Sequence, residues 1–173
     1  MIDGTMIRLR AWQENDLPTL VDLRNDIALQ AQLLSRARGN SAEQVRNWLG
    51  SRSAKPDCLF FIVADRATDA TLGFLQITDM DLIDRRAELG ICLIRESQRR
   101  GIGSESLHLV SAYLRDIWNC RKLSLRVRAD NIAAIRCYSK FGFNNSGLLR
   151  EHSFFDGTWH DLVLMDFFLP GKV

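Results

Sequence analysis

The strongest constraint on the fold of this chain is a change of period and back again within about forty residues. The stretch "AELGICLI" (87–94) is a near-continuous apolar run of strand length. From Gly103 onward, Leu107, Val110, Leu114, Ile117 and Trp118 recur at helical spacing. "KLSLRVR" (122–128) then alternates strictly, as a strand does. Strand, helix, strand in that order implies a right-handed crossover between two parallel neighbours.

The flanking segments add different pieces. "TMIRLR" (5–10), "CLFFIVA" (58–64) and "LGFLQIT" (72–78) read as strands, and the connections from 58 to 94 are short enough for antiparallel pairing. Asp16, with Pro18 in the first turn, is expected to cap a helix carrying Leu17, Leu20, Val21 and Arg24. Ser41 and Gln44 form a capping box ahead of Val45, Trp48 and Leu49. Between them, "LLSRARGN" reads as a loop or a short broken helix. "DNIAAIRCYSKFG" (130–142) is a second helix behind the crossover, ended by Gly142. "GLLREHSFF", an Asp156-Gly157 turn and "TWHDLVLMDFFL" make a terminal hairpin. The expectation is one mixed α/β (α+β) domain over residues 1–173, with no linker and no repeat.

Composition narrows the function classes. With 46% hydrophobic residues the chain can bury a core, and a net charge of +2 gives no support for an extended nucleic-acid surface. No apolar run reaches membrane-spanning length, and the N-terminus lacks the form of a signal peptide. Cys58, Cys92, Cys120 and Cys137 have neither CxxC spacing nor nearby histidines, so no metal site is expected. They read as reduced thiols of a cytoplasmic protein. The C-terminal "LVLMDFFL" suits a core strand or the pairing edge of a homodimer.

Chemistry enters at "QRRGIGS" (98–104), where the crossover helix begins. Amides in the first turn of a helix have no internal partner, and the helix dipole favours an anion there. Gly101 and Gly103 permit positive φ and close approach, while Arg99 and Arg100 add charge. A phosphate or pyrophosphate is the natural ligand. The segment is neither the GxxxxGK[ST] loop of nucleotide triphosphatases nor an N-terminal dinucleotide-binding GxGxxG turn.

Gln98, Gly101 and Gly103 match the Q/R-x-x-G-x-G/A signature of the GNAT N-acetyltransferases. Asn131, Ala134, Tyr138, Gly142 and Phe143 fit the N-x-x-A-x-x-x-Y-x-x-x-G-F segment of the same family. The resemblance runs through almost the whole chain. It is nearest to the branch holding ribosomal-protein alanine and amino-sugar-nucleotide N-acetyltransferases.

The resemblance implies a mostly antiparallel sheet flanked by helices, in which the parallel strands 87–94 and 122–128 splay apart around acetyl-CoA. It implies that Arg99, Arg100, Gly101, Ile102, Gly103 and Ser104 hold the pyrophosphate behind Gln98. The pantetheine arm would run along Ile91, Cys92, Leu93 and Ile94, with Asn131 and Ala134 on its far side. An amide near Ile91 or Cys92 would meet the oxyanion. Glu88 would take the proton from the attacking amine or bind substrate, and Tyr138 would protonate the departing thiolate. Transfer would be direct, without use of Cys137. The expected acceptor is a small-molecule amine such as a nucleotide-linked amino sugar. The alternatives are a protein N-terminus, or an inert acyl-CoA sensor. Residues 24–40, 79–86 and 150–160 would surround the acceptor. His152 and His160 flank the hairpin, and two readings stand equally for them: facing each other across it, or a plain surface pair.

Overall fold

A computed structural model describes residues 1–171. Its strands are β1 (Ile2–Asp3), β2 (Ile7–Arg10), β3 (Leu59–Asp65), β4 (Thr71–Asp81), β5 (Arg86–Leu93), β6 (Lys122–Arg128), β7 (Asn144–Phe155) and β8 (Thr158–Phe168). They form one sheet in the order β1-β2-β3-β4-β5-β6-β8-β7. Only β5 and β6 run parallel; every other neighbouring pair is antiparallel. The helices are α1 (Leu17–Asn25), α2 (Ile27–Gln32), α3 (Ala42–Ser53), α4 (Ile102–Trp118) and α5 (Ile132–Phe141). Among the described residues, no helix is long and apolar enough to cross a membrane.

Strand alternation divides the apolar residues between two faces of the sheet. On one face Leu75, Leu89, Leu123 and Leu125 pack against Leu107, Val110 and Leu114 of α4 and the inner side of α5. On the other, Ile62, Phe74 and Cys92 pack against Leu20 and Leu23 of α1 and Val45 and Leu49 of α3. Trp48 of α3 meets Phe60 and Phe74 edge-on, with ring centroids 5.3 and 5.7 Å away. Such contacts fix the helix over the sheet beyond what burial alone does.

The Ser41 capping box forms in full: Gln44 N–H donates to Ser41 Oγ and Ser41 N–H to Gln44 Oε1. Asp16 behaves differently from the expected cap. It makes no side-chain cap bond to α1. Its carboxylate is buried, receives both Arg10 guanidinium nitrogens at 2.9 Å and accepts from Thr71 Oγ1 and Gln13 N–H. A buried carboxylate beside an arginine gains more from that pair than from one orphan helix amide.

The terminal hairpin turns at Asp156 (φ 50°) and Gly157 (φ 73°), the two left-handed residues that a type I′ turn needs. β8 lies between β6 and β7, so its apolar run pairs on both edges within this chain. The unpaired edge at that end of the sheet is β7.

Candidate functional site

The site begins where the sheet opens. β5 and β6 pair in parallel only at Arg86–Lys122, Ala87–Leu123 and Glu88–Ser124. Past Glu88, β5 continues to Leu93 alongside β4, and β6 continues to Arg128 alongside β8. The facing edges therefore separate.

Which backbone groups line that gap follows from the alternation of peptide groups in an antiparallel pair. Ile94 N–H donates to Leu72 O at 2.9 Å, and Cys92 stands opposite Phe74 in the same register. Peptide groups of even-numbered β5 residues thus turn toward β4. Those of Leu89, Ile91 and Leu93 turn toward the gap, as does Ala87, whose carbonyl accepts from Ser124 Oγ. Of the expected run Ile91–Ile94, only Ile91 and Leu93 present backbone to a ligand. Leu93 O already accepts from Gln98 Nε2 at 3.2 Å, so the Gln98 side chain ties the phosphate turn to the strand end. Of the two amides expected near an oxyanion, that of Ile91 turns toward the gap and that of Cys92 turns toward β4. The Cys92 thiol lies in the α1/α3 core, where burial pushes it up to about 12.

At the end of this edge the chain turns into α4. Gly101 is the residue before the helix and has φ 84°, in the left-handed region. Gly103 is already helical, and a Cβ there would make ordinary contact, 3.7 Å from Leu93 Cδ1. Backbone freedom is therefore required at Gly101 and not at Gly103. Arg99 also has positive φ, at 59°. Among the described residues, no amide from Arg99 to Ser104 donates to a protein acceptor; the first that does is Glu105 N–H, to Gly101 O. Arg99 and Arg100 are exposed. The turn is a set of unsatisfied donors at a helix start with two cations beside it, which is chemistry suited to a diphosphate.

α5 supplies the opposite wall. Asn131 caps it, its Oδ1 accepting from Ala134 N–H at 3.2 Å. Tyr138, one turn further along, is partly buried against Phe143, with ring centroids 5.7 Å apart. Its hydroxyl has no hydrogen-bond partner among the described residues. Burial first, and the neighbouring Cys137 second, push the phenol above its ordinary value. It is therefore protonated at neutral pH, the form a proton donor must have. Cys137 is exposed.

Glu88 sits at the fork. Its Oε1 accepts from Arg126 Nε at 3.0 Å and Nη2 at 2.9 Å. A cavity of about 250 Å³ opens beside it, lined by Ser124, Arg126, Ser146, Leu164 and Asp166. Arg126 was not anticipated in the sequence reading, although alternation along 122–128 places it on the same face as Ser124, the register partner of Glu88. The two histidines do not meet. β7 bulges between Leu149 and Ser153, and Ser153 stands opposite His160. His160 instead packs beside Arg128 and Asp130.

The spermidine N(1)-acetyltransferase of Vibrio cholerae is 30% identical over 105 residues, which is 61% of this chain and 60% of that enzyme. The Escherichia coli enzyme of the same name is 30% identical over 96 residues, 56% of this chain and 52% of that enzyme. The matches thus span little more than half the length of these curated relatives. The crystal structure of the Vibrio cholerae enzyme in complex with CoA and spermine superposes with a TM-score of 0.88 at 23% identity, covering 96% of this chain and 97% of that one. These relatives are named for a polyamine, not for the nucleotide-linked amino sugar expected from the sequence. The profile of the acetyltransferase (GNAT) domain matches residues 7–144, and the chain belongs to that family.

Proposed function

We propose that this chain transfers the acetyl group of acetyl-CoA directly to the primary amine of a small molecule. The observation that carries the reading is the free β5 edge at Leu89–Leu93, running straight into the amides of residues 99–104, which have no protein acceptor among the described residues. A thioester with a long amide-bearing arm and a diphosphate matches both halves in order. The Ile91 and Leu93 peptide groups hold the arm as a strand would, and the 99–104 amides hold the diphosphate. Asn131 and Ala134 face it from α5.

The amine enters beside Glu88. A typical alkyl amine titrates near ~10.4 and must lose a proton before it attacks. The Glu88 carboxylate, held by Arg126, receives that proton directly or through water. Ile91 N–H stabilises the developing negative oxygen, and Tyr138 gives its proton to the departing sulfur. A cytoplasmic setting is part of the proposal, supported by four unpaired thiols, three of them buried.

The test is release of free CoA thiol from acetyl-CoA against spermidine, spermine, other small amines and N-terminal peptides. Turnover with a small amine is expected, with spermidine first to assay because of the relatives' names. Turnover with peptides alone would move the acceptor to protein N-termini. Tight CoA binding without turnover on any amine would overturn the enzymatic reading in favour of a sensor.

A further inference from the structure

A second cavity, of about 470 Å³, lies between α1, the segment 34–40 and α3. Arg24, Arg36, Arg38 and Arg52 line it together with Trp48 and Asn40, and its lining contains no aspartate or glutamate. Many arginines elsewhere are neutralised: Arg10, Arg46, Arg66, Arg86, Arg95, Arg126 and Arg128 each pair with a carboxylate. Among the described residues, none of the four cavity arginines has a carboxylate within ion-pair distance.

The fold holds this charge in place. The Arg24 guanidinium lies 4.4 Å from the Trp48 ring centroid, and its Nε is buried with no hydrogen-bond partner. Burial first, then repulsion from Arg52 and Arg38, disfavours its charged form. Asn25 and Asn40 pin the segment by reciprocal bonds of 2.9 and 2.7 Å. Arg36 donates to Phe154 O and lies over the Phe155 ring, tying the cavity wall to the terminal hairpin. Several guanidinium groups fixed beside an aromatic ring, with an unsatisfied buried donor among them, lack only a negative partner.

We propose that this cavity binds the phosphate or carboxylate group of a small anionic molecule. A bare polyamine is repelled there. The anion belongs either to the acceptor itself or to a separate effector. The binding claim is independent of the proposed acetyl transfer; the choice between the two sources rests on it.

The experiment is calorimetric titration of inorganic pyrophosphate into the full chain saturated with CoA, so that the amides of 99–104 are already engaged. Salt-sensitive binding is expected in the wild type, weakened at least tenfold in both Arg38→Gln and Arg52→Gln, with thermal melts confirming that the variants fold. Absence of binding, or equal binding in both variants, overturns the proposal. If the chain turns over an amine, competition by pyrophosphate against that amine assigns the anion to the acceptor. A changed kcat without competition assigns it to an effector. If no amine is turned over, the titration still decides whether the anion site exists.

Discussion

Replacing Gly101 with alanine tests the phosphate turn at its most constrained residue. The native φ of 84° is one that an L-residue adopts at a cost of roughly 1–2 kcal/mol. Space is a lesser matter, because a Cβ at Gly101 would lie 3.4 Å from the flexible end of Met6. The chain has two responses. If it keeps the turn, the folded state loses about that energy and CoA affinity is preserved. If it relaxes the turn, the amides of 99–104 lose their common aim, and binding weakens by a similar energy, about 5- to 30-fold in Kd. The expected outcome is a mixture dominated by relaxation, because among the described residues the one side-chain tie between the exposed turn and the strand is the Gln98–Leu93 bond. Asparagine tolerates left-handed φ better than alanine does, so Gly101→Asn should recover part of both losses. Calorimetric Kd for CoA and thermal melts, measured on the three proteins, read the two responses separately. An unchanged melting temperature in Gly101→Ala, which marks a relaxed turn, together with unchanged CoA affinity would refute the assignment of this turn as the diphosphate grip.

Three further outcomes follow from other parts of the structure. Tyr138→Phe should keep CoA affinity and lower kcat by roughly 100-fold, since only the phenolic proton is removed; an unchanged kcat would sink the proton-donor role. Asp16→Asn should destabilise the fold by about 3 kcal/mol in denaturant melts, because it removes the buried carboxylate from both Arg10 Nη atoms and leaves only the half-exposed Asp69 at Nε. Burial raises the Asp16 carboxyl, but Arg10, Thr71 and the Gln13 amide together outweigh it and hold the group below its usual value. A depressed folded value means that this stability is complete above the unfolded pKa near ~3.9 and is lost as pH falls further. Acid melts of the wild type, but not of Asp16→Asn, should show that loss. Gly73→Ala should prevent normal folding or cost more than about 3 kcal/mol, because a Cβ there would lie 2.1 Å from Cys92 O, which is backbone and cannot swing aside; near-native circular dichroism and melting would contradict this.

Much of the framework was legible because period and punctuation agree locally. The alternation over 122–128 and the capping box at Ser41 appear in the structure at the positions read from the sequence. β1 escaped notice because two residues carry no period. Asp16 was misread because its partners, Arg10 and Thr71, lie on two different strands, while local rules see only the helix that follows. The His152–His160 pairing failed for a related reason: the bulge after Leu149 shifts the register, and nothing in "REHS" announces it. The separation of β5 from β6 was available only through family resemblance, since spacing says that two strands are parallel neighbours and not how long they remain so. The arginine cavity was half visible. Arg24, Arg36 and Arg38 are near one another in sequence, but Arg52 and Trp48 arrive on a separate helix.

Among the described residues, only three residue pairs are in register between β5 and β6, where the two halves of the eight-stranded sheet meet. The seam is otherwise bridged on one side by α4 and α5, whose apolar residues span it. An extended guest lying along Leu89–Leu93 would act as a supernumerary strand, turning a hinged pair of half-sheets into one continuous plate. Amide hydrogens at Leu89, Ile91 and Leu93 should then exchange far more slowly, and the whole domain should melt later, in proportion to how much of the guest is present.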